Sequence, residues 1–346
     1  MVVDLVRLIK TREPQRSDVL HYHALSVLKH DPKRAATSVS LALALTLLSV
    51  ACTPTSQNPS PDQTSVSSNL QLDKTKHSQQ QLAALNIAMI PSQNSQEQIK
   101  QRRLIADYLE EKLGLPINIQ TPKEYDTAID LLVEEKVEMA FLGPFSYVKA
   151  RQRNPQLEPI VAPIDKRTGR PWYTSVIVTN TQSRIDTLED LKGKRFSFVS
   201  KSSTSGYLVA SAHFKTMGIN PEQDFTAIEY AGSHNKNVDA LASGQVDAVC
   251  MNKPTYLKAQ KSGKLPSDQY KVLWESDPIP KAPIVINRQL PPQLKIDLQK
   301  ALIDAPEGLV AVSGAKSAGY TLVQNEDYEL IRQLQELLEL EPDSDR

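Results

Sequence analysis

A row of neutral hydroxyl side chains at residues 202–208, with the sequence SSTSGYL, is the first candidate for chemistry in this chain. Ser203, Thr204 and Ser205 precede Gly206, and the apolar residues that follow are spaced as in a helix. The first turn of a helix has unpaired N–H groups and the positive end of the helix dipole, so it can bind an anion. Hydroxyls add donors at short range, and a glycine lets the backbone approach closely. The row therefore indicates either an oxyanion site or a simple helix cap, for which one Ser or Thr would be enough.

The composition limits the class of ligand and partner. The chain has 346 residues, of which 40 are basic and 40 are acidic, so it has no formal net charge. A nucleic-acid-binding protein would carry a basic excess, and we therefore expect no nucleic-acid partner. An anion could still be bound by neutral hydroxyls and dipoles in a closed cleft, where a low dielectric strengthens each hydrogen bond. The sequence contains no P-loop glycine pattern and no cluster of metal ligands, so neither a cofactor nor a metal is expected.

The front of the chain has the pattern of a targeting segment. Lys33 and Arg34 precede an uncharged apolar run that ends at Cys52, which predicts a signal region over residues 1–52. The run is near the lower length limit of a membrane span. Residues 53–84 are polar and rich in Pro and Ser, and we expect them to form a disordered tether.

The sequence LSVAC at residues 48–52 resembles a bacterial lipobox, in which the cysteine is lipidated and becomes the mature N-terminus. Ser49 departs from the usual leucine of that pattern, so an ordinary cleaved signal and an uncleaved anchor stay open as alternatives. The resemblance implies a lipid anchor at Cys52. The second cysteine, Cys250, lies in an apolar stretch and is expected to be a buried small side chain.

Strand and helix patterns alternate from Leu85 onward, which predicts an α/β fold with mostly parallel sheets. The order recurs along the chain. EYDTAIDLLVEEKVEMAFLGPFSY at 124–147 aligns without a gap with SHNKNVDALASGQVDAVCMNKPTY at 233–256, and Tyr125 then matches His234. This repeat predicts two similar lobes, with a ligand cleft between the carboxyl ends of their strands.

The domain limits follow from this pattern. We expect residues 85–172 to form the first part of lobe 1, residues 173–278 to form lobe 2, and residues 279–346 to return to lobe 1. The return includes an amphipathic C-terminal helix, which is expected to pack on lobe 1.

Several motifs together resemble the phosphate/phosphite/phosphonate-binding family of ABC-transporter substrate-binding proteins. The resemblance covers about residues 85–305 and depends on IPSQNSQEQI, FLGPFSYVKA, SSTSGYLV, AGSHNKNVDALASGQVDA and WESDPIPKAPIVI. It implies the type II periplasmic-binding fold, in which two α/β lobes joined by two crossing segments close on a ligand.

The resemblance also implies a set of ligand-binding residues, which are Ser203, Thr204, Ser205, His234, Tyr125 and Tyr173. Gly206, Phe145 and Ser146 form a second, weaker set. The tyrosines could instead be packing residues, and Phe145 and Ser146 could serve packing alone. His234 could be a cap or a surface residue, but as a ligand contact its protonation should matter near its reference pKa of about 6.5.

The implied function is the substrate-binding component of an ABC importer, which captures phosphate, phosphite or a small phosphonate and delivers it to the permease and ATPase subunits. The protein would act outside the cytoplasm as a monomer, held at the membrane by lipid at Cys52. A sensor or regulatory protein for the same anions is the alternative. We expect no enzymatic activity, since Ser203 with His234 is the only candidate pair of nucleophile and base.

Ligand selectivity is predicted from two stretches that lack Asp and Glu, MNKPTY at 251–256 and PIPKAPI at 278–284. Relatives that bind aminoalkylphosphonates are expected to place carboxylates there around the ammonium group, where this chain has Pro254 and Ala282. A buried ammonium without a counter-charge is costly. The sequence therefore favours phosphate, phosphite or an uncharged alkylphosphonate.

Overall fold

A computed structural model describes residues 82–91, 96–309 and 317–340, which belong to one compact unit over residues 78–346. The predicted signal region, most of the predicted tether and Cys52 lie outside the described residues. No helix within the described ranges is long and apolar enough to cross a membrane.

The described strands are, in chain order, β1 Leu85–Met89, β2 Ile117–Gln120, β3 Met139–Phe141, β4 Leu157–Asp165, β5 Trp172–Tyr173, β6 Ser175–Asn180, β7 Arg195–Phe198, β8 Ala227–Tyr230, β9 Ala248–Asn252, β10 Tyr270–Glu275, β11 Ile279–Pro280, β12 Ile284–Asn287 and β13 Ser317–Leu322. The α-helices are α1 Gln96–Leu113, α2 Tyr125–Val133, α3 Pro144–Arg153, α4 Val209–Thr216, α5 Pro221–Asp224, α6 His234–Ala242, α7 Lys253–Lys261, α8 Pro292–Ile303 and α9 Glu329–Leu337. A π-helical turn, Thr204–Leu208, leads directly into α4.

All described strands except β5 and β11 belong to two large sheets, one in each lobe. The first sheet has six strands in the order β13-β4-β12-β3-β1-β2, and the second has five in the order β10-β6-β9-β7-β8. The prediction of mostly parallel sheets is wrong. Only the β2-β1-β3 and β8-β7-β9 parts are parallel, because strands near the crossings between the lobes (β12 and β6) run against their neighbours.

Two short segments connect the lobes. The strands β5 and β11 pair in antiparallel fashion outside both large sheets, with Ile279 opposite Tyr173 and Pro280 opposite Trp172. The chain thus leaves the first sheet after β4 and returns to it before β12. The domain limits given above stay predictions, and all strands of the second sheet fall within residues 173–278.

The internal repeat is visible in the register of the two sheets. Ile87 of β1 pairs with Met139 of β3, and Phe196 of β7 pairs with Ala248 of β9. The helices α6 and α7 and the strand β9 each begin the same number of residues after α2, α3 and β3, their counterparts in the first lobe. The gap-free alignment therefore corresponds to equivalent positions in space.

One polar contact also repeats. The Glu138 carboxylate accepts the backbone N–H of Asn86 over 2.7 Å, and the Asp247 carboxylate accepts the backbone N–H of Arg195 over 2.8 Å. Both carboxylates precede a central strand and fix the start of the strand beside it. These acidic residues are structural in both lobes.

The C-terminal helix contacts more of the protein than was predicted. It packs on α3 of lobe 1, as expected, but Leu334 and Leu338 also reach the cluster that contains Leu208 of lobe 2. Lys215 of α4 forms an ion pair of 2.9 Å with Glu339 just beyond α9. The amphipathic pattern predicted a buried face, but it could not specify that two lobes would share it.

Candidate functional site

The serine row follows β7 and is almost fully buried, with Ser203 and Thr204 2% exposed and Ser205 1% exposed. Ser203 Oγ accepts the N–H of Gly206 over 3.1 Å, so the cap interpretation is correct for Ser203. The first turn is wider than the α-helical turn expected from the sequence, because the N–H of Leu208 bonds to the Ser203 carbonyl five residues earlier. The next two hydroxyls take no part in the cap.

Gly206 is required by close packing. A Cβ at this position would lie 2.4 Å from Val199 Cγ2 and 2.8 Å from Ser203 Oγ. The sequence predicted a close approach at this glycine, and the group that approaches it in the protein is the end of the preceding strand. Gly206 therefore fixes the position of the serine row.

Hydrogen bonds join the serine row to the start of α3 in the other lobe. The N–H of Phe145 donates to Thr204 Oγ1 over 2.9 Å, and Ser146 Oγ donates to the carbonyl of Ser202 over 2.8 Å. Phe145 and Ser146 are 2% and 0% exposed. Both residues thus hold the lobes together, and their role in ligand binding stays a prediction.

Two tyrosine hydroxyls reach the serine row from different directions. Tyr125, the first residue of α2, is within hydrogen-bonding reach of Ser203. Tyr173, in β5 on a crossing segment, is within reach of Ser205 and Thr204. Burial raises the pKa of Tyr173 to about 12 and raises the pKa of Tyr125 further, although the serine and threonine hydroxyls oppose both changes. Both phenols therefore keep their protons and can donate.

His234 is the first residue of α6, the position in lobe 2 that matches Tyr125 in lobe 1. Its Nδ1 accepts the backbone N–H of Asn252 over 3.2 Å, so the proton of the neutral ring is on Nε2. Burial lowers the pKa of His234 to about 3. The change expected near pH 6.5 concerned a histidine in contact with an anion, and it stays a prediction. Among the hydrogen bonds of the described residues, none joins His234 directly to the serine row.

A charged cluster beside the row was missed at the level of the sequence. Lys149 Nζ donates to Ser202 Oγ over 2.8 Å, and Ser202 Oγ donates to Asp126 Oδ1. Lys149 and Asp126 also approach each other to 3.5 Å. Ser202 was quoted as part of the row but not assigned a role, and the four-residue helical spacing of Phe145 and Lys149 was the only signal that these side chains share a face.

Other chemistry finds little support in the described ranges. They contain no group of three or more His, Cys, Asp or Glu that could hold a metal ion. Cys250 is buried as expected, and burial raises the pKa of its thiol well above the usual value, which disfavours the reactive thiolate.

A buried row of hydroxyls that meets tyrosines from the other lobe and from a crossing segment is an arrangement suited to an oxyanion. The family model described as "ABC transporter, phosphonate, periplasmic substrate-binding protein" matches residues 87–328 of the chain. The chain belongs to this family. The proteins of this family are periplasmic substrate-binding components of ABC importers and work with a permease and an ATPase.

Individual members of the family are moderately similar in sequence. The phosphonates-binding periplasmic protein of Escherichia coli is 32% identical over 232 residues, which are 66% of this chain and 68% of that protein. The phosphate-import protein PhnD of Mycolicibacterium smegmatis is 29% identical over 226 residues, which are 63% of this chain and 70% of that protein.

The fold is also that of the family. The crystal structure of the binding protein component of an ABC phosphonate transporter from Pseudomonas aeruginosa superimposes with a TM-score of 0.66 at 24% identity, over 73% of this chain and 85% of that chain. The predicted fold class, with two α/β lobes joined by two crossing segments, is thereby confirmed. The roles of the individual site residues stay predictions.

Proposed function

We propose that this protein captures a phosphorus oxyanion between its two lobes and delivers it to the membrane permease of an ABC importer. The ligand is phosphate, phosphite or a small phosphonate without an ammonium group. The proposed donors are Ser203, Thr204, Ser205, Tyr125, Tyr173 and His234 through Nε2–H. The observation that carries this proposal is the buried row of serine and threonine hydroxyls at the start of a helix, with Tyr125 and Tyr173 beside it.

The ligand class is supported by the names of the relatives, one a phosphate-import protein and one a phosphonates-binding protein. The chemistry agrees with that class. Hydrogen bonds to a charged group contribute about 1.5–3 kcal/mol each. Five or six such bonds, less the free energy of closing the cleft, would give an affinity between about micromolar and nanomolar.

Binding without chemical conversion is part of the proposal. A serine nucleophile needs a base that accepts its proton. Ser203 Oγ already accepts the N–H of Gly206, and His234 Nδ1, the nitrogen with the lone pair, accepts the N–H of Asn252. The lone pair of His234 is thus already engaged, so this histidine is not placed to accept the Ser203 proton.

We further propose that the protein acts as a monomer outside the cytoplasm, anchored by lipid at Cys52 and tethered by residues 53–84. The lipobox-like sequence LSVAC supports the anchor. Fractionation of cells that express the chain or its Cys52→Ala variant tests it, because loss of the lipid should move the protein from the membrane fraction to the soluble fraction. Equal distribution of both would contradict the anchor.

Calorimetric titration of the chain with phosphate, phosphite, methylphosphonate, 2-aminoethylphosphonate and sulfate tests the binding function. We expect tight binding of one phosphorus oxyanion and its loss in the Ser203→Ala/Ser205→Ala variant. Ser243→Ala is the matched control, because Ser243 ends α6 and its hydroxyl bonds only locally, to the carbonyl of Ala240. No binding of any phosphorus oxyanion by the native protein would overturn the proposal.

A further inference from the structure

Lys281 is a buried lysine next to the proposed site, in the crossing segment that follows β11. Its side chain is only 5% exposed, and its ammonium group lies 3.1 Å from Asp165 Oδ2. The same ammonium lies over the ring of Tyr173, 5.5 Å from the centroid. The hydroxyl of Tyr173 reaches Ser205 and Thr204. The positive end of a buried ion pair therefore lies against the ring of Tyr173.

This charge is fixed in position. Burial alone would raise the pKa of Asp165, but the Lys281 ammonium and the Arg167 N–H groups outweigh that effect and lower it, so the carboxylate stays ionised. Burial lowers the pKa of Lys281, and the charge of Asp165 opposes that change. Asp165 ends β4 and Lys281 follows β11, so the pair ties the two crossing segments together and the ammonium cannot turn away from Tyr173.

Carboxylates next to other site residues are already paired with lysines. Asp126, which follows Tyr125, lies 3.5 Å from Lys149. Glu275 lies 2.6 Å from Lys253 and accepts the Thr174 hydroxyl over 2.7 Å. An ammonium group on a ligand would have to compete with these lysines for a counter-charge. Burying it without one is costly.

We propose that Lys281 determines the charge selectivity of the site, favouring oxyanions without a cationic substituent over aminoalkylphosphonates. This inference rests on the proposed function. The pair with Asp165 is neutral as a whole, but its ammonium is the member that lies over the Tyr173 ring, so a ligand ammonium on that side of the site would meet the positive end of the pair. The same ammonium attracts the oxyanion itself, and it polarises the Tyr173 ring that presents a hydroxyl to it.

The test compares methylphosphonate with 2-aminoethylphosphonate, since the two share a phosphonate group and differ in an aminomethyl extension. Calorimetry on the full chain should give the native protein a preference of about tenfold or more for methylphosphonate. The variant Lys281→Met/Asp165→Asn, which leaves no buried carboxylate unpaired, should reduce that preference to within about threefold. Lys281→Arg keeps the charge and should keep the preference, and Lys300→Met on the exposed side of α8 is the surface control.

Two results would overturn the inference. One is equal binding of both ligands by the native protein. The other is a parallel loss of both affinities in the double variant with an unchanged ratio, which would mean that Lys281 only supports the structure. If the double variant lacks a cooperative thermal transition, Lys281→Gln replaces it. If the native protein folds but binds neither ligand nor any other phosphorus oxyanion, the proposed function itself fails, and this inference fails with it.

Discussion

The backbone N–H of Phe145 in lobe 1 donates a hydrogen bond of 2.9 Å to the side-chain oxygen of Thr204 in lobe 2. The hydroxyl proton of Thr204 stays available for another acceptor, because the bond from Phe145 uses only a lone pair. One threonine thus accepts from the opposite lobe and can donate to a ligand. We therefore propose that closing the lobes and binding an anion are coupled at this single side chain.

Replacing Thr204 by Val should weaken the closed form. The substitution keeps the shape but leaves the buried N–H of Phe145 without an acceptor, at a cost of about 1–3 kcal/mol. We expect the affinity for the oxyanion to fall about tenfold or more, measured by calorimetry, with little change in the melting temperature. Thr216→Val, at the exposed end of α4, is the matched control. An unchanged affinity for Thr204→Val would count against the coupling.

Ser202 should govern how fast the ligand leaves. Its hydroxyl connects Lys149 and Asp126 of lobe 1 to lobe 2, and these bonds exist only while the lobes touch. Ser202→Ala should therefore raise the dissociation rate about fivefold to tenfold, from a net loss of about 1 kcal/mol or slightly more, and leave the association rate almost unchanged. Stopped-flow fluorescence measures both rates. A change confined to association would refute this role.

Two glycines in the cleft should respond differently to the same substitution. Gly206→Ala places a Cβ 2.4 Å from Val199 Cγ2 and should destabilise the protein by about 1–3 kcal/mol through overpacking. Gly143→Ala meets its nearest neighbour, Ser146 Oγ, at an ordinary 3.5 Å, so it is the control. Urea unfolding of both variants decides the point. Equal stabilities would mean that the Gly206 turn shifts without cost.

His234 should make stability depend on pH between about 3 and 6.5. Its pKa is about 3 in the folded protein and about 6.5 when unfolded, so in this range the unfolded chain binds the extra proton. The contribution of His234 to the free energy of unfolding should be largest above pH 6.5. It should fall as the pH is lowered from about 6.5 to about 3. Above pH 6.5 His234 should not make the free energy of unfolding depend on pH.

Urea unfolding of the native protein and the His234→Gln variant at several pH values checks this prediction. The variant's free energy of unfolding should depend less on pH between about 3 and 6.5. The pKa of His213 is also lowered by burial, so His213→Gln should flatten this pH profile in the same direction. The double variant should be flatter than either single variant. A His234→Gln profile that parallels the native one would show that the ring is not kept neutral by folding.

The sequence was sufficient for the two lobes and for the positions in the fold of Tyr125, His234 and the hydroxyl row. Hydrophobic periodicity and the gap-free repeat placed Tyr125 and His234 at equivalent helix starts, and the hydroxyl row was placed at a helix N-terminus. These features depend on local spacing, which a sequence carries directly. The directions of the strands near the crossings could not be predicted in this way. The chain enters β6 and β12 directly from the crossing segments, and both strands run antiparallel to their neighbours.

The lysines around the site could not be predicted for a different reason. Lys281 meets Asp165 across 116 positions of sequence, and Lys149 meets Ser202 across 53. Neither pair has a local pattern, since both depend on how the lobes and crossings are arranged in space. The neutral total charge gave no sign of these two lysines, because Lys149 is paired with Asp126 and Lys281 with Asp165.

The matching registers of the two sheets, with Ile87 opposite Met139 and Phe196 opposite Ala248, give both lobes the same backbone framework. In the present chain the equivalent positions are Tyr125 and His234, a phenol and an imidazole. The two lobes thus repeat the backbone but not the side chains at these helix starts, so a substitution in one lobe can alter its contribution to the proposed site without a matching change in the other.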